Sequence, residues 1–288
     1  AKRAARNRNI LSELAARGIH IRAASRATVV EEMPEAYKDV ADVVDVVAGA
    51  GLPVAKHGNR AISSKSGSAD VLSTLGVNIE ASMEVIQECL WSIGIGFLMA
   101  PRHHGAMRHV GPSRIEIGTR TIFNLLGPLS NPAGAKRQLI GVFDSAWCVP
   151  LAEVLGKLGS THVWVVHGLD GMDELTITGP SKVAAYKDGS VSTFEVTPED
   201  ANLRCSRIED LIGGDPQLNA QEMLELLNGK TGPYRDIVVM NSAAALIVAG
   251  KATSLSDGAA MATEAIEAGK AKNTLNDLVE ITNRAPAA

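Results

Sequence analysis

The stretch KHGNRAISSKSGSAD, residues 56–70, concentrates small hydrogen-bond donors and positive charges in a chain that is 45% hydrophobic. Glycines let a backbone approach a ligand closely, and serine hydroxyl and amide groups ahead of a helix N-terminus donate to anions. Lys56, Arg60 and Lys65 add charge. The pattern therefore favours a phosphate site, although it matches neither a Walker A loop nor a GxGxxG turn. A polar loop whose serines cap the following helix is the alternative.

Two adjacent carboxylates, Asp173 and Glu174, form a second cluster within GLDGMDELT, residues 168–176. They follow the apolar run THVWVVHG, which is typical of a strand. Mg²⁺ that is bound together with a phosphate substrate usually takes one or two protein carboxylates. The pair suits such a site, and an ordinary acidic loop is the alternative.

A third cluster, PRHHGAMRHVGPSR at residues 101–114, holds three histidines and three arginines. Its spacing matches no HExxH-type metal motif. Arg114 has the planar fork that binds a carboxylate through two hydrogen bonds. A solvated basic loop fits these residues equally well.

The elements that must position these clusters alternate between helices and strands. Helices are predicted over residues 3–17, 34–48, 69–75, 82–92 and 145–158, and strands over 19–25, 52–55, 138–143 and 162–166. An apolar run occupies 95–100, a loop 101–114, a hairpin 183–196 with its turn at Asp188-Gly189, and helices the last 70 residues. This βαβ order is typical of an α/β fold with a parallel sheet. The residue 56–70 stretch follows the 52–55 strand, so it falls at the usual ligand edge of such a sheet.

Composition indicates a folded protein, because only 21% of the 288 residues are charged. The net charge of -4 gives no sign of a nucleic-acid or anionic-membrane partner. Cys89, Cys148 and Cys205 lack CxxC spacing and are expected in the core of a protein from a reducing compartment. The apolar run at 90–100 is shorter than the ~20 residues of a membrane span, and no signal-peptide pattern is present, which favours the cytoplasm.

Four long motifs resemble one family in order and spacing. They are KHGNRAISSKSGSADVLSTLGV, HHGAMRHVGPSR, TRTIFNLLGPLSNPAGAKRQLIGVF and GMDELT, and together they resemble the anthranilate phosphoribosyltransferases of tryptophan biosynthesis from about Val47 onward. The resemblance implies a nucleoside phosphorylase/phosphoribosyltransferase-like fold, with a parallel-sheet core flanked by helices. It also implies transfer of the phosphoribosyl group from phosphoribosyl pyrophosphate to anthranilate.

The resemblance carries site residues onto this sequence. It implies phosphoribosyl pyrophosphate contacts at Lys56, His57, Gly58, Asn59, Arg60, Ser63, Ser64 and Ser68. It implies anthranilate contacts at Asn59 and Arg114 with His57 close by, and Mg²⁺ ligands at Asp173 and Glu174. No catalytic acid or base is assigned, because an aromatic amine is already a neutral nucleophile. Family members commonly dimerise through their helical region. Because that region is replaced here, the oligomeric state is open, and a homodimer is one alternative.

The amino-terminal segment departs from the family. Residues 1–47, with the passage EEMPEAYKDV, resemble the carboxyl-terminal segment of the tRNA-splicing RNA ligase family, but without its histidine motif HGAGR. The transferase family's helical region and GTGGD turn, which hold pyrophosphate and one Mg²⁺, are replaced here. The sequence therefore reads as a chimera with a foreign segment at residues 1–50 and a phosphoribosyltransferase-like domain at 51–288.

Three functions follow as hypotheses. The first is the transferase, impaired by loss of the GTGGD turn, since each lost charge-assisted donor removes ~1.5 to 3 kcal/mol of binding. The second is a catalytically silent relative that binds a ligand or nucleic acid. Net charge and an aromatic content of only 3% argue against nucleic acid. The third is an RNA ligase, which only residues 1–47 suggest.

Overall fold

The computed structural model describes residues 41–60, 66–117 and 121–284. The predicted helix 3–17, the predicted strand 19–25 and the first residues of the predicted helix 34–48 lie outside the described residues, as do Ser63 and Ser64. Within the described part, helices and strands alternate as the sequence predicts, and the last 70 residues are helical apart from short connections.

Eleven α-helices are described in these ranges: α1 Ala41–Gly49, α2 Ser68–Thr74, α3 Met83–Ser92, α4 Ala100–His103, α5 Gly111–Ile117, α6 Ile122–Leu129, α7 Cys148–Lys157, α8 Pro216–Leu227, α9 Pro233–Ala249, α10 Leu255–Glu267 and α11 Lys270–Thr282. The strands are β1 Val54–Gly58, β2 Ile95–Met99, β3 Arg137–Gly141, β4 His162–Gly168, β5 Ser181–Lys187 and β6 Ser190–Val196. Short 3₁₀ turns occupy Gly105–His109, Ser145–Trp147, Pro198–Ala201 and Ile208–Leu211.

The described strands form two separate sheets. β1 pairs with β2 in parallel, and the second sheet has the order β3-β4-β5-β6. β3 and β4 are parallel, whereas β5 and β6 form an antiparallel hairpin. Asp188 and Gly189 turn this hairpin with φ of 51° and 85°, the left-handed values of a type I′ turn. The parallel pairs and the hairpin are confirmed, and β5 and β6 make the second sheet mixed rather than wholly parallel.

Helix α9 is the centre of the helical layer beneath the sheets. It is buried on nearly all sides, packs against α1 and α10, and touches β3 and β4. Helix α1 also packs against α11, and it approaches so closely that a Cβ on Gly49 would stand 2.7 Å from the Ala271 backbone nitrogen. Side chains cap these helices where the sequence supplies them, as Ser254 does for α10 and Asp215 for α8.

Several details of the prediction are wrong. The strand expected at 52–55 continues to Gly58, so Lys56 and His57 belong to the strand and not to a loop. The segment expected to be a loop at 101–114 is built of helical turns, because α4, a 3₁₀ turn and the start of α5 occupy it. Cys205 is exposed, whereas Cys89 and Cys148 are buried as expected.

Two expectations concern the whole chain. No helix in the described ranges is long and apolar enough to cross a membrane. The proposed domain boundary at residue 50 falls in the turn between α1 and β1, and it stays a prediction.

One acidic side chain is buried in an apolar environment. Asp45 lies on α1 among buried valines and is fully inaccessible to solvent. Neither of its carboxylate oxygens has a hydrogen-bond partner in the described part of the chain. Burial without a partner disfavours the charged form and raises the pKa of Asp45 from 3.8 to about 8.

Replacing Asp45 should change how stability depends on pH. The folded protein binds a proton that the unfolded chain has released between pH 4 and 8, so stability falls as pH rises through this range. The lost stability amounts to on the order of 4 kcal/mol at pH 7. In urea unfolding, Asp45→Asn should gain stability relative to the unmodified chain as pH rises from 6 to 8. The exposed Asp277→Asn serves as control, and an equal pH dependence in all three proteins would contradict the assignment.

Candidate active site

A cavity of about 1440 Å³ lies between the two sheets. One wall is β1 and the opposite wall is β3, with helices α1 and α9 and the segment from α4 to α6 completing the enclosure. Most of its lining is apolar. Polar residues line it at the carboxyl end of β1, on the acidic segment after β4 and around the amino end of β3: Lys56, His57, Asn59, His104, Asn131, Lys136, Arg137, Gln138, Asp173 and Glu174.

The carboxyl end of β1 presents the first predicted group. Lys56, His57, Gly58 and Asn59 all line the cavity. The Asn59 carbonyl oxygen accepts from the amide of Ala69 at 3.3 Å, which fixes the end of β1 to the start of α2. This end of the strand is therefore held where the sequence places the phosphate contacts.

Ser68 lies directly against this strand end. A Cβ on Gly58 would stand 2.6 Å from the Ser68 Oγ and 2.8 Å from the Phe97 ring, so only glycine fits this close approach. Arg60 points elsewhere, because its guanidinium donates to Asp70 at 3.2 Å and is half exposed. The structure thus brings Ser68 to the site and turns Arg60 toward helix α2.

A pair of histidines stands beside the strand. The Nε2 atoms of His57 and His104 are 3.1 Å apart, and the two rings meet edge to face at 5.0 Å between centroids. Burial, and then the neighbouring His104 and His103, lower the pKa of His57 from 6.5 to about 4. His57 is consequently a neutral imidazole at pH 7, able to accept or donate one hydrogen bond but not to supply a charge.

The acidic pair enters the cavity from the opposite side. Asp173 and Glu174 follow β4 after a turn in which Asp170 accepts from Met172, Thr176 and Thr178. That network fixes the turn, so the two carboxylates stand at the wall facing β1.

Asn241 of α9 holds the acidic segment from below. Its Oδ1 accepts from the Leu175 amide at 3.0 Å, and its Nδ2 donates to the Leu175 carbonyl at 2.8 Å. The same Nδ2 lies 3.4 Å from a Glu174 oxygen. Because Asn241 is only 2% exposed, these bonds form in a low-dielectric setting, and their loss leaves buried groups without partners.

Gly141, at the end of β3, completes the support. A Cβ there would stand 1.5 Å from the Asp173 carbonyl oxygen, so the acidic segment passes directly over a residue without a side chain. Gly141 therefore supports the site through close packing and not through a charge.

The predicted residues divide into four sets, one of which is Arg60 alone, turned away from the cavity toward Asp70. Lys56, His57, Gly58, Asn59, Asp173 and Glu174 line one cavity, and Ser68 lies against it. Arg114 belongs to helix α5, whose residue Gly111 lines the cavity, while its side chain is outside the described residues. Ser63 and Ser64 are outside them as well. No cluster of three or more potential metal ligands occurs in the ranges that are described.

Sequence reasoning missed three supporting residues, Asn241, Gly141 and His104. Gly141 ends the run QLIG, and a glycine closing a strand indicates close approach. Asn241 is a polar residue in an otherwise apolar helix, which indicates a buried hydrogen bond. His104 carried no signal that separates it from its neighbour His103.

Comparison with known families places this arrangement in a class. The model of the glycosyl transferase family, a/b domain, matches residues 43–272, so the chain belongs to this family. A second model, described as the tRNA-splicing ligase RtcB, matches residues 1–62, in agreement with the resemblance of the amino-terminal segment.

Individual relatives narrow the class further. The anthranilate phosphoribosyltransferase of Paramagnetospirillum magneticum is 61% identical over 239 residues, which is 83% of this chain and 69% of that protein. The enzyme of the same name from Rhodospirillum rubrum is 58% identical over 84% of this chain and 70% of its own length. The chain belongs to the anthranilate phosphoribosyltransferase family.

Solved structures agree with this placement. The anthranilate phosphoribosyltransferase of Thermus thermophilus superposes with a TM-score of 0.80 at 42% identity, covering 86% of this chain and 74% of that one. The Saccharomyces cerevisiae enzyme in complex with PRPP and Mg superposes with a TM-score of 0.77 at 27% identity, covering 88% and 71%. The predicted α/β fold and family are both confirmed.

Substituting Gly141 should disturb the acidic segment. Gly141→Ala forces the Asp173 carbonyl to move, and overpacking of this kind costs about 1 to 3 kcal/mol in urea unfolding. Gly179→Ala is the matched control, because a Cβ there meets no atom within 4 Å. Equal stability of the two variants would show that the Asp173 backbone does not lie over Gly141.

Proposed function

We propose that this chain transfers the phosphoribosyl group from phosphoribosyl pyrophosphate to anthranilate. The main support for this proposal is that residues 56–59 and the pair Asp173 and Glu174 line the same cavity. The chain also belongs to this family. The amine nitrogen attacks the anomeric carbon of the ribose, the bond from that carbon to the pyrophosphate oxygen breaks, and the amine then loses a proton. Charge builds on the leaving group, so preorganised donors at that position lower the barrier.

The donors for the sugar phosphate come from the end of β1. Lys56 supplies a cation, and Asn59 and Ser68 supply neutral donors near the strand end. Gly58 lets the Ser68 hydroxyl lie close to the strand end because it has no side chain. These groups bind and orient the substrate, which is the main task in a displacement that needs no enzyme nucleophile.

The acidic pair fits a divalent cation. Carboxylate oxygens are the ligands that Mg²⁺ takes beside a phosphate substrate, and Asn241 holds Glu174 toward the cavity. Asp173 and Glu174 would therefore hold Mg²⁺, which would neutralise negative charge on the pyrophosphate. The related Saccharomyces cerevisiae structure that contains PRPP and Mg supports this assignment.

The acceptor is assigned to the side of the cavity that holds His57, His104 and α5. A neutral His57 is able to accept a hydrogen bond from the anthranilate amine without adding positive charge next to it. Arg114 would pair with the carboxylate of anthranilate through its guanidinium fork. The orientation of the amine toward the sugar would follow from these two contacts.

Loss of the GTGGD turn bears on rate and affinity. No such motif occurs in residues 1–55, so donors that the family uses for pyrophosphate are replaced by other residues. Loss of two or three charge-assisted bonds weakens binding by several orders of magnitude. This observation favours a second function, that of a catalytically silent phosphoribosyltransferase-like binding protein. Together with the transferase function, we propose a cytoplasmic location and a homodimeric assembly.

Anthranilate consumption tests the transferase directly. Fluorescence of anthranilate should fall when phosphoribosyl pyrophosphate and Mg²⁺ are added, and Asn59→Ala should slow the loss at least tenfold because it removes a substrate contact. Gln221→Ala, an exposed residue of α8, serves as the matched control. Unchanged fluorescence with a protein that unfolds cooperatively would support the silent member instead.

Arg114 should act on one substrate only. Arg114→Ala removes the proposed carboxylate contact, so the KM for anthranilate should rise at least tenfold while the KM for phosphoribosyl pyrophosphate changes little. Arg207→Ala controls for loss of a surface charge, since Arg207 pairs with nearby Asp210 on an exposed turn. Equal increases in both KM values would contradict the assigned role.

A further inference from the structure

Asn131 lies in the connection between helix α6 and strand β3, and it lines the cavity. It is not among the proposed substrate contacts. Its Nδ2 nevertheless donates to the Ala55 carbonyl oxygen of β1 at 3.1 Å. Ala55 directly precedes residues 56–59, the group proposed for the sugar phosphate. A residue of the α6–β3 connection therefore holds the strand that carries this group.

The local turn fixes the direction of the Asn131 amide group. Its Oδ1 accepts from the Ala133 amide at 3.0 Å, and its backbone carbonyl accepts from the Gly134 amide at 3.1 Å. An asparagine that bonds to the backbone two residues ahead forms an Asx turn. Pro132 follows Asn131 and restricts its backbone to extended conformations. Because Ala133 holds the amide oxygen, the amide nitrogen is directed away from the turn and meets Ala55.

The two partners of Asn131 require both halves of an amide. The Ala133 backbone nitrogen is a donor and needs the side-chain oxygen, whereas the Ala55 carbonyl is an acceptor and needs the side-chain nitrogen. An aspartate would supply the acceptor and no donor, and a serine side chain is too short to make both bonds. The position therefore selects asparagine.

The Ala55 carbonyl needs a partner outside the ladder between β1 and β2. Val54 donates to the Gly94 carbonyl on the β2 side. Alternate residues of a parallel ladder point their backbone groups to opposite sides, so the Ala55 carbonyl points away from β2. The bond from Asn131 supplies the partner, and its loss would leave a half-buried carbonyl without this donor.

A second contact joins the same two segments. The His57 ring hydrogen-bonds the backbone carbonyl of Gly127, in the last turn of α6. The Nε2 of His57 lies 3.1 Å from the Nε2 of His104, so the ring is held between α6 and the end of α4. Ala55 and His57 are close together on β1, as Gly127 and Asn131 are at the end of α6. Two neighbouring bonds thus tie β1 to α6.

We propose that Asn131 is a positioning residue, which holds the end of β1 against α6 and so keeps the sugar-phosphate contacts aligned with the acceptor side of the cavity. Helix α6 lines that side through Phe123, Leu126 and Gly127, next to His57. The expected effect on rate rests on the proposed function. A displacement without an enzyme nucleophile depends on the alignment of its two substrates, and a misplacement of about 1 Å can lower its rate a hundredfold.

An NMR titration of the His57 ring tests the positioning role without turnover. Burial, and then the neighbouring His104 and His103, lower the pKa of His57 from 6.5 to about 4, and Lys56 lowers it further. In the unmodified chain the ring should therefore stay neutral from about pH 5 to pH 8.

Asn131→Ser separates the turn from the bond to the strand. The serine hydroxyl still accepts from the Ala133 amide, but it does not reach the Ala55 carbonyl. Release of β1 lets water approach the His57 ring and moves the ring away from His104, and both changes raise its pKa. Half-protonation of His57 should therefore move above about pH 5 in this variant.

Asn283→Ala is the matched control for the titration. Asn283 also donates from Nδ2 to a backbone carbonyl of another segment, that of Gly76, at 2.8 Å. The control should leave the titration of His57 unchanged. A His57 ring that stays neutral at pH 5 in folded Asn131→Ser would overturn the positioning role, and so would an equal change in Asn283→Ala.

Kinetics distinguish positioning from substrate contact. Asn131→Asp has the shape of asparagine and keeps the acceptor for Ala133, but it places an oxygen against the Ala55 carbonyl. In this variant and in Asn131→Ser, kcat should fall at least tenfold while both KM values change less than about threefold. An unchanged kcat, or a rise in the KM for anthranilate alone, would overturn the positioning role. A folded unmodified chain without turnover would contradict the proposed function instead, and the His57 titration then decides the role of Asn131.

Discussion

The site depends on the packing of helix α1 against helix α9. The two sheets share no backbone ladder in the described residues, so their separation is set by the helices beneath them and by the bond from Asn131 to Ala55. Helix α1 leads into β1, whose end carries the proposed phosphate contacts, and α9 carries Asn241, which fixes the acidic segment. The distance between the groups proposed for sugar phosphate and for metal is therefore a consequence of helix packing. The buried carboxyl group of Asp45 lies on α1, so it is relevant to the site as well as to stability.

The chemistry follows from what the walls contain. The end of β1 offers a cation and neutral donors, the segment after β4 offers two carboxylates, and His57 of β1 stays neutral at pH 7. Such a set suits the proposed binding of a phosphorylated sugar together with a divalent cation.

Much of this could be read from the sequence, because local patterns carry local structure. Strand patterns gave β1, β3 and β4, and the Asp188-Gly189 pair gave the hairpin. The motif resemblance predicted the family. It also predicted that residues 56–59 and the pair Asp173 and Glu174 belong to one site. Tertiary contacts escaped prediction: the pairing of Arg60 with Asp70, the clamp by Asn241 and the passage of the Asp173 carbonyl over Gly141. The split between the sheets also escaped it, since pairing between strands that are distant in sequence leaves no periodic signal.

Calorimetric titration of phosphoribosyl pyrophosphate into the full chain tests the central claim that this cavity holds a sugar phosphate together with Mg²⁺. Binding is measured with Mg²⁺, with chelator, and for the double variant Asp173→Asn, Glu174→Gln. We expect phosphoribosyl pyrophosphate to bind in the presence of Mg²⁺. We expect its affinity to fall at least tenfold with chelator and in the double variant. Binding of equal strength under all three conditions, or its absence from the folded unmodified chain, would contradict the account.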